Sequence, residues 1–128
     1  MRLPDWQIRF SDFVSARQNM PFAWGRNDCC VFAAEAVKAI TGEDHAAEFR
    51  GIYRTVRTAD RLMNEMGGLE AIASKFLGDP VSPKMAAVGD IVMTGNTLGV
   101  CNGSTIIGPG KDGIVVIPMA EALKAWKV

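Results

Sequence analysis

Trp24-Gly25-Arg26-Asn27-Asp28-Cys29-Cys30-Val31-Phe32 is the stretch on which the reading of the whole chain turns. Asp28 is a residue type that caps helices, because its carboxylate accepts a hydrogen bond from an amide left unpaired in the first turn. The helix then begins at Cys29. Its macrodipole and free N–H groups favour a thiolate at that position. A thiol so placed is either a nucleophile or a buried remnant of one.

Cys29, Phe32, Ala33, Ala36 and Ile40 fall on one stripe and Gly42 supplies a C-cap, so the spacing predicts a helix over 29–41. The alanines in the stripe predict close packing and a central, buried position. Upstream, Trp6, Phe10 and Phe13 share a face, which predicts a helix over 5–18 that Pro21 closes. Phe22 and Trp24, in the turn between them, either line a groove or plug the core.

Residues 43–51 read as a turn or a single helical turn. They hold the only histidine, His45, expected as a solvent-exposed loop residue. Residues 52–55 are expected to be extended. Thr58 is expected to cap a short helix over 59–66 with Leu62, Met63 and Met66 inward, stopped by Gly67-Gly68. Another short helix is predicted over 69–77, ending at Gly78. Asp79-Pro80 and Ser82-Pro83 then mark a change of regime. Short β-type runs follow at 88–93, 98–102, 104–107 and 113–117, separated by glycine-bearing turns as in a meander. Pro118 is expected to open a last helix to Trp126, with Met119, Ala122, Leu123 and Trp126 on its buried face. Helices first and strands after predict a single α+β domain over 1–128, its N-terminal helices packed on a C-terminal antiparallel sheet.

With 128 residues the chain is long enough to bury a core. Its 14 Lys plus Arg balance 14 Asp plus Glu, and no basic block stands out. Nucleic acid is therefore not an expected partner. A neutral surface gives little charge repulsion against self-association, which favours life inside an assembly. No stretch has the length of a membrane span, and the start of the chain does not read as a signal peptide. The 3 cysteines are an odd count, and two are adjacent, so reduced thiols are expected rather than a disulfide framework. Arg26, Arg50, Arg54 and Arg57 either form a basic rim or are ordinary solvated or carboxylate-paired side chains.

Asp28-Cys29 opening a helix, then Gly89-Asp90-Ile91-Val92, then Thr97-Leu98-Gly99-Val100-Cys101-Asn102-Gly103, resembles the NlpC-type branch of the papain-like cysteine peptidases. That family hydrolyses amide bonds in bacterial cell-wall peptides with a helix-borne Cys, a His on the following sheet and a third polar residue on the next strand. The resemblance places Cys29 at the nucleophile's position. It places Thr97 where the family has His, and Gly108 near the third catalytic position. Both partners of the nucleophile are thus missing. A Cys–His hydrolase needs a base to form the thiolate and an acid to protonate the leaving amine, and that help is worth about 10²–10⁴-fold. Threonine supplies neither. His45 lies past the far end of a helix about 18 Å long and would have to fold back along it to substitute.

Thr97, Gly99 and Cys101 share one face of a strand. The resemblance implies that this face looks at Cys29, which brings Cys101 close and makes Trp24, Arg26 and Cys101 a candidate groove. No cofactor is implied, and no metal site, since His45 and scattered carboxylates are the only further ligand types.

The string Pro21-Phe22-Ala23-Trp24-Gly25-Arg26-Asn27-Asp28-Cys29-Cys30, followed by Phe49-Arg50-Gly51-Ile52-Tyr53-Arg54-Thr55, also resembles a group of small tail-associated proteins of tailed phages and prophages. This likeness extends through Gly67-Gly68-Leu69, Leu98-Gly99-Val100 and Ala125-Trp126. It implies a tail-tip or tail-assembly component in the virion tail, made in the bacterial host cytoplasm. The implied partners are other tail proteins of the hub or distal tail, with a peptidoglycan contact. The alternative is an active thiol amidohydrolase cleaving peptidoglycan peptides through Cys29. A weaker option is a small-ligand or redox-sensing domain that uses Cys29 and Cys101.

Overall fold

A computed structural model of the chain describes residues 1–128. Four helices come first: α1 Trp6–Arg17, α2 Cys29–Thr41, α3 Val56–Glu65 and α4 Leu69–Leu77. Five strands follow: β1 Ile91–Thr94, β2 Thr97–Cys101, β3 Thr105–Gly110, β4 Gly113–Pro118 and β5 Lys124–Trp126. The fold is α+β, with one open antiparallel sheet in the order β4-β3-β2-β1-β5.

α2 is the central element, and its ends are set by its sequence. Asp28 caps it in an extended conformation, and Gly42, in the left-handed region at φ 83°, returns its N–H to the Lys38 carbonyl at 2.8 Å. A side chain at Gly42 would be strained there, so the helix stops where the sequence predicts. One flank packs on α1, where the Phe13 and Phe32 rings meet edge-on with centroids 5.0 Å apart. Another lies on the sheet, where Ala33 and Ala36 let the backbone approach Leu98, Val100, Ile107 and Trp126. A second cluster, Val31, Phe49, Tyr53, Ala59 and Ile72, ties α3 and α4 to the other side of α2.

The sheet is buried on both faces near its middle. Val100 pairs with Ile91 and Ile107 and faces α2. Val92, Cys101 and Ile106 point the other way, where Ala86, Ile117, Met119 and Ala122 cover them. The alternation of strand side chains thus builds two cores.

The C-terminal segment departs from the expected helix over 118–126. It forms a short 3-10 turn, Met119–Glu121, and then β5. β1 would otherwise be a bare edge, and β5 closes it: Ala125 pairs with Val92 and bridges to Val81 on its outer side. Those backbone pairings outweigh a helical spacing of apolar residues. Trp126 is fully buried, as expected, and its Nε1–H donates to Ser74 Oγ at 3.1 Å, while Leu123 is exposed.

Smaller corrections concern 43–66. Thr55, not Thr58, caps α3. Thr55 is extended at φ −132°, and its hydroxyl accepts from the Thr58 N–H while Thr58 answers from the third helical position, a reciprocal capping box. Residues 52–55 join no strand. His45 is not a free loop side chain: it packs on Phe76 with ring centroids 4.9 Å apart, and its Nε2 is buried without a hydrogen bond.

Gly89-Asp90 opens β1 with a fully buried carboxylate. Asp90 accepts from Arg2 (3.0 Å), the Val128 amide (2.9 Å), the Ala87 amide (2.9 Å) and Lys127. Arg2 also donates to the Val88 and Val128 carbonyls and stacks over Trp6. One carboxylate therefore fastens residues 2, 127 and 128 to the start of the sheet. The sequence contains no local sign of this, since the partners are far apart along the chain.

Candidate functional site

Residues 20–28 are shaped by two buried polar side chains. Asn27 donates from Nδ2 to the Met20 and Pro21 carbonyls (3.2 and 3.1 Å) and accepts from Arg17 at 2.7 Å. Burial lowers the Arg17 pKa and the nearby Glu35 carboxylate raises it. Asp28 accepts from the Cys30 and Val31 amides through one oxygen, each at 3.0 Å, and from the Gly25 amide through the other at 2.7 Å. It is both the cap of α2 and the clamp that folds the Trp24-Gly25 turn back onto the helix. Trp24 packs edge-on against Phe22 and onto the Val31–Phe49–Tyr53 cluster. The Tyr53 hydroxyl is buried beside Asp28 without a well-formed hydrogen bond, and burial together with the carboxylate pushes its pKa up.

Cys29, at the first position of α2, is partly exposed, whereas Cys30 is buried. The Cys29 thiol is lowered to about 7. The largest cause is the hydrogen bond from the Cys30 thiol; burial opposes it; the Leu98 amide and the Thr97 hydroxyl add to it; the Asp28 carboxylate opposes it. Cys30 stands between Cys29 and Met63, with Met63 Sδ at 3.8 Å, and its own pKa is pushed far up by the Cys29 interaction and by burial. The one carboxylate that acts on the Cys29 thiol, Asp28, already accepts from the Gly25, Cys30 and Val31 amides. No imidazole is among the groups that act on this thiol.

This arrangement belongs to a chain whose family is shown by sequence. The chain is a member of the DUF6950 family. The family is described as a domain of unknown function, and it matches residues 1–128. No curated protein matches the chain.

In this DUF6950 chain the remaining candidate residues divide. Thr97 and Gly108 line one small cavity of about 50 Å³ together with Thr94, Gly99, Ile106 and Val115. Gly108 lies opposite Val115 in the β3–β4 ladder and brings no side chain. Thr97 is the one side chain that links this cavity to the Cys29 sulfur. Arg26 is exposed on the turn.

Cys101 does not join Cys29. It faces Val92 and Ile106 on the opposite side of the sheet from α2, with its thiol toward the Gly103 carbonyl at 3.5 Å. Burial raises its pKa. The parity of Thr97, Gly99 and Cys101 is as expected, but their shared face is turned to the second core. Thr97, the first residue of β2, nonetheless acts on the Cys29 thiol through its hydroxyl. The expected grouping of Trp24, Arg26 and Cys101 in one groove is overturned by the same geometry.

His45 lines a separate apolar cavity of about 40 Å³ with Phe49, Ile72, Phe76 and Leu98. No set of three or more His, Cys, Asp and Glu side chains gathers where a metal could bind. No helix is long and apolar enough to cross a membrane. Two contributors to the Cys29 environment escape sequence reasoning. The Leu98 amide is a backbone group with no residue signature. Cys30 reads as a packing residue until its thiol is seen beside Cys29.

Proposed function

We propose that this DUF6950 chain has a papain-like, NlpC-type fold that keeps its cysteine without hydrolytic power. It serves as a structural component of a phage or prophage tail tip. The observation that carries the reading is the set of groups that act on the Cys29 thiol: the Cys30 thiol, the Leu98 amide, the Thr97 hydroxyl and an Asp28 carboxylate already bonded to three amides, with no imidazole among them. Amide cleavage through a thiolate needs a proton delivered to the leaving amine. Neither Thr97 nor an amide delivers one near neutral pH, and the single histidine packs on Phe76. What remains of the site is a fold landmark. The neutral net charge favours packing among neighbouring proteins in an assembly. The test is mass spectrometry of purified virions, paired with pull-down of the tagged chain against the tail proteins of the same particle. The chain should be found in the virion and should retain a hub or distal-tail protein. Absence from virions together with no retained tail protein would overturn the reading.

A second reading is favoured by the lowered Cys29 pKa. In it, Cys29 attacks a peptide carbonyl of peptidoglycan. The C–N bond breaks, the amine takes its proton from water, and water then hydrolyses the thioester. An activated peptide ester should leave an acyl adduct on Cys29, visible as a mass increase that is lost on hydrolysis. Failure of that adduct to form removes this reading.

A further inference from the structure

The arginines divide into two sets. Arg2 binds Asp90 at 3.0 Å, Arg9 binds Asp5 at 2.9 Å, Arg17 donates to Asn27 at 2.7 Å, and Arg50 pairs with Glu35 and Asp44. Arg26, Arg54, Arg57 and Arg61 are exposed and form no ion pair. This second set shares one region. The Gly51 amide donates to the Gly25 carbonyl at 2.9 Å, which packs the turn bearing Arg26 against the segment that leads to Arg54. Arg57 and Arg61 are one turn apart on α3 and lie on the same side of it.

Two further observations mark the surface. Ile52 and Val56 stand among these arginines with 62% and 55% of their surface exposed. Between Glu48 and Asp60 the chain has no acidic residue, and the first turn of α3 has none either. Arg54 and Arg57 thus flank a helix start, where the macrodipole disfavours cations. Asp60 and Glu65, the acids of α3, pair with neither. Helix stability does not account for the arrangement. A single exposed arginine needs no explanation, but several unpaired guanidinium groups in one region with two bare aliphatics do.

We propose that the face formed by Arg26, Ile52, Arg54, Val56 and Arg57 docks an acidic protein segment that also carries aliphatic side chains. Guanidinium forks match carboxylates in charge and geometry, and the two aliphatics give the segment an apolar anchor. Nucleic acid fits less well, because the chain has zero net charge and no basic block in its sequence. The inference rests on the assembly reading for the partner's setting, while the recognition chemistry stands on the surface itself.

The test is fluorescence anisotropy with the full chain and a fluorescein-labelled peptide of glutamates interrupted by leucines. The comparison probes are a leucine-free glutamate peptide and a single-stranded DNA oligonucleotide of the same length. The mixed peptide should bind most tightly, and its affinity should fall as salt rises. Arg54→Glu with Arg57→Glu should weaken it by roughly tenfold or more, because like charges would then face each other. Lys84→Glu with Lys111→Glu makes the same change in net charge at exposed sites elsewhere and should leave binding intact. Ile52→Ser should remove the advantage of the mixed peptide over the leucine-free one. No binding at low salt, equal loss in both double variants, or tighter binding of the oligonucleotide would overturn the proposal. None of these outcomes bears on whether the chain is present in virions, so the two readings fail separately.

Discussion

Cys29 and its neighbours decide what the molecule can do at the scale of single side chains. A thiol lowered from 9.0 to about 7 is half ionised near neutral pH. An unshifted thiol would be about 1% ionised there, and the thiolate is the reactive form. Native alkylation by iodoacetamide, followed by peptide mass spectrometry, should label Cys29 first, with a rate that rises through a midpoint near pH 7. Cys30 and Cys101, buried and shifted upward, should label only on unfolding. Equal labelling of all three would contradict the described environment. The sign for stability follows from the same shift. Ionisation of Cys29 favours the folded state; this gain is fully present above pH 9 and is lost as pH falls through 7. In Cys29→Ser the slope of stability between those limits should disappear. Gly25 is a second decisive position. It has φ 77°, and a Cβ there would collide with the Tyr53 carbonyl oxygen. Gly25→Ala should therefore cost well over 1 kcal/mol in urea denaturation, since strain and collision add. A change within about 0.5 kcal/mol, the range of ordinary surface substitutions, would show that the turn yields instead.

At the scale of elements, the caps and the strand ends carry most of the organisation. Asp90 is the clearest case. Asp90→Asn removes the charge that holds Arg2 and Lys127 and should destabilise by about 3 kcal/mol. That is the low end for a broken buried pair, because both cations keep some contact with water. Urea denaturation measures it, and a loss below about 0.5 kcal/mol would mean the staple contributes little. The same elements show what could be read from sequence. α1, α2 and α4 were legible because Asp28, Pro21, Gly42, Gly67-Gly68 and Gly78 carry their stop and start signals locally. The meander was legible from its glycine turns. β5 was not, because Met119, Ala122, Leu123 and Trp126 also fit a helical face. What decides is the unpaired edge of β1, a property of the tertiary fold. Cys101 lies on the opposite side of the sheet from the one the resemblance implies, for a related reason. Strand parity says which residues share a face, but not which of the two cores that face meets. The cap of α3 lies one turn before the expected Thr58 because Thr55 and Thr58 are both capping types, and only the extended backbone at Thr55 separates them.

For the whole molecule, the sheet has one open edge and it is partly guarded. The Ile114 amide on β4 is taken by the Gln18 carbonyl at 3.1 Å, and Pro118 has no amide to offer. Val115 and Val116 remain exposed between them. Strand-to-strand stacking through β4 is thereby limited, and the four free arginines on the far side of α2 offer a different contact. The two halves of the molecule also divide the chemistry. The helical half presents a favoured thiolate, and the sheet half faces it with Thr97 and an amide. In the proposed function this pairing holds a thiolate without turning over peptide bonds. Its most direct test is release of free amine from purified muropeptides by the wild-type chain and by Cys29→Ala, at equal concentration near pH 7.5. The two proteins should give the same background. Release that depends on Cys29 and repeats over many turnovers would contradict it.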